Sequence, residues 1–180
     1  SVVLDLRIVD DTSTEVDVGE RGELQVRGTT VFKGYWNRPD ATAETFDGDW
    51  LKTGDIAYFD EEGYLFIVDR IKDLVIRGGE NIGCGAVEAA LLEHPLVAES
   101  CVYAVPDERL GEEVGATLFT KEHLAADDLI AFLETKLAKF EIPRYYYFLD
   151  KPLPRTGSGK IFKRGLRQEA TDRIARGLPG

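Results

Sequence analysis

The segment Pro154-Arg155-Thr156-Gly157-Ser158-Gly159-Lys160-Ile161 has the residue types that come nearest to chemistry. Two glycines around a serine leave the backbone N–H groups free to turn toward an anion, and a lysine follows at once. Such a loop can cradle a phosphate and set a point charge beside it. It is not a Walker A loop, which needs a glycine where Pro154 stands and a serine or threonine where Ile161 stands. Taken alone, the same residues also fit a solvated surface loop. Lys52-Thr53-Gly54-Asp55 stands just before a predicted strand. A carboxylate after a glycine turn can accept two hydrogen bonds from a ribose diol, and it can equally cap the strand. Asp69-Arg70 closes the next predicted strand. There the guanidinium can donate in a fork to sugar or phosphate oxygens, or simply form a surface ion pair. In Gly78-Gly79-Glu80 the paired glycines let the backbone approach a narrow ligand or turn a tight hairpin.

Other chemistries find no support. His94 and His123 have no partner at metal-ligand or triad spacing, no nucleophile–base pair for hydrolysis is visible, and no metal site is expected. Cys84 and Cys101 have neither zinc-ligand spacing nor disulfide-scaffold density, so they read as small buried hydrophobes in a reducing, cytoplasmic setting. The net charge of −11 argues against a general nucleic-acid surface. That charge is uneven: from Lys151 to Gly180 the chain holds eight basic and two acidic residues, which leaves −17 on the rest. A short basic tail on an acidic chain suggests a local anion site. No apolar run approaches the ~20 residues that span a bilayer, so no transmembrane segment is expected. No methionine occurs, which fits a piece of a longer polypeptide or a processed start.

The elements that must position these residues can be read from periodicity. Alternation over 1–10 and over Glu23–Arg27 predicts strands. Ile56–Phe59 and Tyr64–Val68 flank Asp60-Glu61-Glu62-Gly63 as a hairpin, and Tyr35–Asp55, between that hairpin and the Glu23–Arg27 strand, looks irregular. Leu74–Ile76 and Glu80–Ile82 bracket a second hairpin. Val87, Ala90 and Leu91 recur at helical spacing up to His94-Pro95. Ser100–Val105 and Val114–Thr120 read as strands. Leu129, Ile130, Leu133, Leu137 and Phe140 form a helical stripe, with Asp127 and Asp128 in its first turn and Lys136 and Lys139 in its last. A strand at Tyr145–Leu149 precedes the proline- and glycine-rich basic tail, for which periodicity predicts no element. The expected fold class is α+β. A β-rich subdomain over 1–70 is followed, across a hinge near 69–73, by a small α+β domain over 73–180 with a short mixed or antiparallel sheet flanked by helices.

The order and spacing of the motifs say more than any one of them. Gly34-Tyr35-Trp36-Asn37-Arg38-Pro39, Trp50-Leu51-Lys52-Thr53-Gly54-Asp55, Asp69-Arg70-Ile71-Lys72-Asp73, Gly78-Gly79-Glu80-Asn81-Ile82 and Leu153 through Lys160 follow one another. This succession resembles the adenylate-forming superfamily: acyl-CoA synthetases, aryl-CoA ligases, firefly luciferase and peptide-synthetase adenylation domains. Arg77-Gly78-Gly79-Glu80-Asn81 and the run from Val105-Pro106-Asp107 to Gly111-Glu112-Glu113-Val114 resemble bacterial fatty-acyl-CoA synthetases in texture.

The resemblance implies an ATP-dependent carboxylic acid:CoA ligase, with a fatty acid as the expected acid, acting through an acyl-AMP intermediate. Asp55 and Arg70 would bind the ribose of ATP or AMP. Lys72 would be the hinge about which a mobile C-terminal lid turns. Lys160 would be the catalytic lysine, touching carboxylate and α-phosphate as acyl-AMP forms, and Gly78, Gly79 and Glu80 would line the CoA tunnel. The partners implied are the acid, ATP, CoA and the remainder of a large N-terminal domain. That remainder would carry the phosphate loop, the acyl pocket and the glutamate that binds Mg2+. Gly83, Cys84 and Ala86 stand where many relatives have an aromatic residue, a proline and a glutamate, which changes the expected CoA packing there. Two alternatives remain at this stage: a non-catalytic binding or regulatory module that keeps the lid fold, and an adenylation domain that loads a carrier protein.

Overall fold

The computed structural model describes residues 4–178; the first three residues of the expected opening strand and the last two of the tail lie outside the described residues. The chain divides into two compact units, Ser1–Lys72 and Asp73–Gly180.

The first unit is an antiparallel sheet built from β1 (Leu4–Val9), β2 (Gly22–Gly28), β3 (Phe46–Asp47), β4 (Trp50–Phe59) and β5 (Leu65–Arg70), with one short helix α1 (Pro39–Thr45). The order is β1-β2-β4, and both β3 and β5 pair with β4. Its buried core is small, Ile8, Leu24 and Ala57 with Val16, Val26, Phe59 and Leu65 packed around them. Large apolar side chains stay exposed, among them Phe32, Tyr35, Trp36, Phe66 and Ile67. Isolated sheets rarely leave so much apolar area uncovered. The expectation that Tyr35–Asp55 is irregular is overturned. Pro39 at the helix start opens α1, and β4 already begins at Trp50. Turn formers masked the strand because β4 is interrupted by a bulge rather than preceded by a loop.

The second unit is a mixed sheet of β6 (Leu74–Arg77), β7 (Glu80–Gly83), β8 (Val97–Asp107), β9 (Gly111–Thr120) and β10 (Tyr145–Leu149), with helices α2 (Cys84–Leu92), α3 (Ala126–Leu133) and α4 (Lys163–Ala175). The order is β10-β9-β6-β7 with β8 also on β9, and β10 runs parallel to β9. Both faces are covered. Val102, Ala104, Val114, Ala116 and Leu118 pack with Val87 and Leu91 of α2 and Leu129 and Leu133 of α3. Cys101, Tyr103 and Val105 point the other way, onto Leu153 and onto Leu166 and Ala170 of α4. Two covered faces explain why Cys101–Val105 within β8 reads as an unbroken apolar run instead of an alternating one.

One further expectation fails here. The α3 stripe stops at Leu133, so Lys136, Lys139 and Phe140 lie beyond the helix. Lys136 N–H reaches back to the Leu133 carbonyl, an i→i−3 bond that tightens and ends the turn. The basic tail, for which no element was predicted, holds a helix: α4 buries Leu166 and Ala170, with Ile174 packed beside them, at a spacing of one helical turn. Its charged face outnumbers that stripe. No helix among the described residues is long and apolar enough to cross a membrane.

Candidate functional site

In the first unit Asp55 sits on β4 where both of its neighbours slip register. Between the pairs Glu23↔Ile56 and Gln25↔Lys52, β4 holds more residues than β2, and on the other side the β4–β5 ladder shifts between Ile56 and Ala57. Bulges re-aim side chains. Gly54 makes this one possible with φ +72, a conformation that costs a residue bearing Cβ. Side chains then satisfy the freed backbone: Thr53 Oγ1 donates to the Leu24 carbonyl at 2.7 Å and accepts the Asp55 N–H at 3.0 Å, while Glu23 Oε1 accepts the Gly54 N–H at 3.2 Å. The motif read as a turn before a strand is therefore a bulge within one. Asp55 and Arg70 are direct cross-strand partners, and Arg70 Nε donates to Asp55 Oδ1 at 2.9 Å. The arginine is 68% exposed and the carboxylate 18%, so the pair contributes orientation more than stability. A carboxylate has about four lone-pair directions, and one guanidinium contact leaves room for a diol. Lys72 is exposed in a single 3-10 turn, Ile71–Asp73. An open cleft in this unit is lined by Phe32, Tyr35, Trp36, Pro39 and Phe46 and includes none of these site residues.

In the second unit Gly78 and Gly79 form the two-residue loop between Arg77 and Glu80, with φ +58 and +94. Positive φ at both central positions is the type I′ signature, the turn whose twist suits a hairpin. A Cβ on Gly79 would meet nothing within 4 Å, so one face of the turn is open. Three contacts pin the hairpin to the β8–β9 corner. Gly78 N–H donates to the Leu110 carbonyl at 2.9 Å, Ile76 N–H to Glu112 Oε2 at 2.8 Å, and Arg77 to the buried Glu113. Glu112 and Glu113 stand at the start of β9. Only the strand register reveals that they hold the glycine pair.

Lys160 lies on a tight hairpin-like loop. Arg155 and Ile161 bridge, Thr156 N–H donates to the Lys160 carbonyl at 2.7 Å, and Phe162 N–H donates to the Pro154 carbonyl at 2.7 Å. Most neighbouring cations of the tail are spent on partners: Arg155 on Glu99, Lys163 on Asp73 and Glu88, Arg167 on Glu112. Burial drives the Lys163 ammonium toward deprotonation, but Glu88, Cys84 and Asp73 outweigh it and hold the lysine charged. The same burial pushes the Cys101 thiol up to about 12, against the pull of Lys163, so this sulfur is not a nucleophile. Lys160, by contrast, is exposed, and among the described residues its ammonium has no hydrogen bond or ion pair. The loop thus holds its backbone firmly and leaves its charge unspent. The described residues contain no group of three or more His, Cys, Asp or Glu able to hold a metal ion.

The chain matches the family model for the AMP-binding enzyme C-terminal domain over residues 86–160, a span that ends on Lys160. It is 44% identical over 147 residues to a 2-succinylbenzoate–CoA ligase of Bacillus cereus, covering 82% of this chain and 30% of that protein. It is 42% identical over 170 residues to a feruloyl-CoA synthase of Amycolatopsis sp, covering 93% and 34%. Among solved structures, the o-succinylbenzoate CoA synthetase of Bacillus subtilis in complex with its acyl-adenylate intermediate superimposes with a TM-score of 0.80 at 39% identity, over 91% of this chain and 34% of the other. The chain belongs to the adenylate-forming superfamily. It carries the C-terminal part of that architecture and spans about a third of the length of the relatives it matches. Within the superfamily's motifs, the structure pairs Asp55 with Arg70 and sets Gly78, Gly79 and Glu80 on one hairpin, with Lys160 on a separate loop of the same unit.

Proposed function

We propose that the chain is the C-terminal portion of a longer ATP-dependent carboxylic acid:CoA ligase that works through acyl-AMP, with residues 73–180 as its mobile lid and Lys72 as the pivot. The observation that carries this reading is the Lys160 ammonium, unpaired among the described residues, on a backbone-locked loop at the end of the span that matches the family model. In the first half-reaction a carboxylate oxygen of the acid attacks the α-phosphorus of ATP and pyrophosphate leaves. Charge gathers on the phosphoryl oxygens, and a preorganised cation stabilises it most as the transition state forms. In the second, the CoA sulfur attacks the acyl carbon and AMP departs with the oxygen that came from the acid. Gly78 and Gly79 give the pantetheine arm a wall without side chains, beside Glu80. ATP, CoA and the acid are the substrates, and the Mg2+ ligand and the triphosphate grip belong to polypeptide outside this chain. The exposed apolar side chains of the first unit fit a sheet whose covering layer lies in that remainder.

The acid is assigned as a fatty acid on the texture around Arg77–Asn81, whereas the relatives named above are a 2-succinylbenzoate–CoA ligase and a feruloyl-CoA synthase. Comparing a fatty acid, 2-succinylbenzoate and ferulate on the parent enzyme by AMP release decides among them. The ribose contact has its own test. Asp55→Ala in the parent enzyme is expected to raise the KM for ATP about ten- to a hundredfold, the scale of losing charge-assisted hydrogen bonds to a diol. The readout is acid-dependent ATP–pyrophosphate exchange; an unchanged KM removes Asp55 from the nucleotide site.

A further inference from the structure

Resting on the acyl-AMP reading, we propose that Glu99 is a positioning residue for adenylation: through Arg155 it ties the Lys160 loop to the central sheet. Glu99 belongs to β8, beside the register shift between Val97 and Glu99. Its carboxylate uses both oxygens on the loop's base. Oε2 accepts the Leu153 N–H at 2.7 Å and Oε1 accepts from Arg155 Nη2 at 2.6 Å. The other arm of the same guanidinium, Nη1, donates to the Gly159 carbonyl at 3.0 Å, one peptide before Lys160. A chain of charge-assisted bonds therefore runs from a strand to the backbone that carries the ammonium. The backbone rungs of the hairpin fix the shape of the loop but not its angle to the sheet; the Glu99–Arg155 fork fixes that angle. It also neutralises Arg155, so among the described residues the one unspent charge at the loop is that of Lys160. The Leu153 N–H, ahead of opposing burial and then of Arg155, holds the Glu99 carboxyl below its ordinary range, which keeps the clamp ionised in neutral solution.

A charge displaced by about 1 Å loses on the order of a hundredfold in rate. In the parent enzyme, Glu99→Ala and Arg155→Ala are each expected to slow acyl-AMP formation about ten- to a hundredfold in kcat, with the KM for ATP unchanged. Thioester formation from supplied acyl-AMP and CoA should change less than about threefold. The double variant should be no slower than the slower single one, because the two residues act as one unit. Glu99→Gln, which keeps one acceptor oxygen, should fall between. Equal losses in both half-reactions would show a merely structural role, and additive losses would separate the two residues; either result overturns the clamp. Should Glu99→Ala fail to fold, the half-exposed Arg155 still permits the test. Lys160→Ala in the same assays separates the failures. If it shows no adenylation-selective loss, the acyl-AMP reading falls and the clamp with it; if it does and the clamp variants do not, the clamp alone is wrong.

Discussion

Lys160→Ala in the parent enzyme is expected to reduce acyl-AMP formation by at least about a hundredfold while thioester formation from preformed acyl-AMP survives. The magnitude follows from removing one preorganised charge partner of a transition state, which costs about 10²–10³ in rate. The selectivity follows from the proposed lid motion. If the second unit is the mobile lid proposed above, Lys160 is delivered in one pose and withdrawn in the other, so its loss touches one half-reaction. Within the unit itself the substitution should be benign, because the side chain is exposed and its ammonium makes no contact among the described residues. Pyrophosphate exchange reads the first half-reaction and thiol consumption with synthetic acyl-AMP reads the second. Equal damage to both would remove Lys160 from the adenylation role.

Gly79 should show the opposite selectivity. Gly79→Leu is expected to slow thioester formation by on the order of a hundredfold and adenylation much less, since misplacing a thiol by about 1 Å has that effect. Local geometry sharpens the test. A new Cβ meets no atom within 4 Å inside the unit, so the side chain would project into the space assigned to pantetheine. The left-handed φ of +94 adds backbone strain, and a Gly79→Ala control measures it, because alanine brings the strain with almost none of the bulk. Leucine hurting no more than alanine would mean that no ligand passes that face.

How much of this could be read from the residues varies from place to place, for physical reasons. The α+β class, both hairpins and the tight turn at the glycine pair were legible because each rests on local chemistry that a turn or an alternating strand must have. Asp55 was legible as a carboxylate but not as a bulge residue. A bulge is defined by the partner strand, and β2 lies some thirty residues earlier in sequence, at Gly22–Gly28. The α4 helix was hidden because its buried stripe of Leu166 and Ala170 is narrow and basic residues surround it. The overlong reading of α3 failed for the converse reason: apolar periodicity continued past Leu133 although the backbone had already tightened. Glu99 carried no local signal at all. It is an ordinary strand glutamate until the fold sets it against Leu153 and Arg155, more than fifty positions away.

The central claim is that an oxygen of the acid passes to the nucleotide. The most direct measurement supplies the parent enzyme with carboxyl-18O-labelled acid, ATP and CoA, then weighs the phosphorus products. AMP carrying one labelled oxygen and unlabelled pyrophosphate are the expected products, because the acyl–oxygen bond breaks when the thiol attacks acyl-AMP. Label in orthophosphate, with ADP as the nucleotide product, would contradict it.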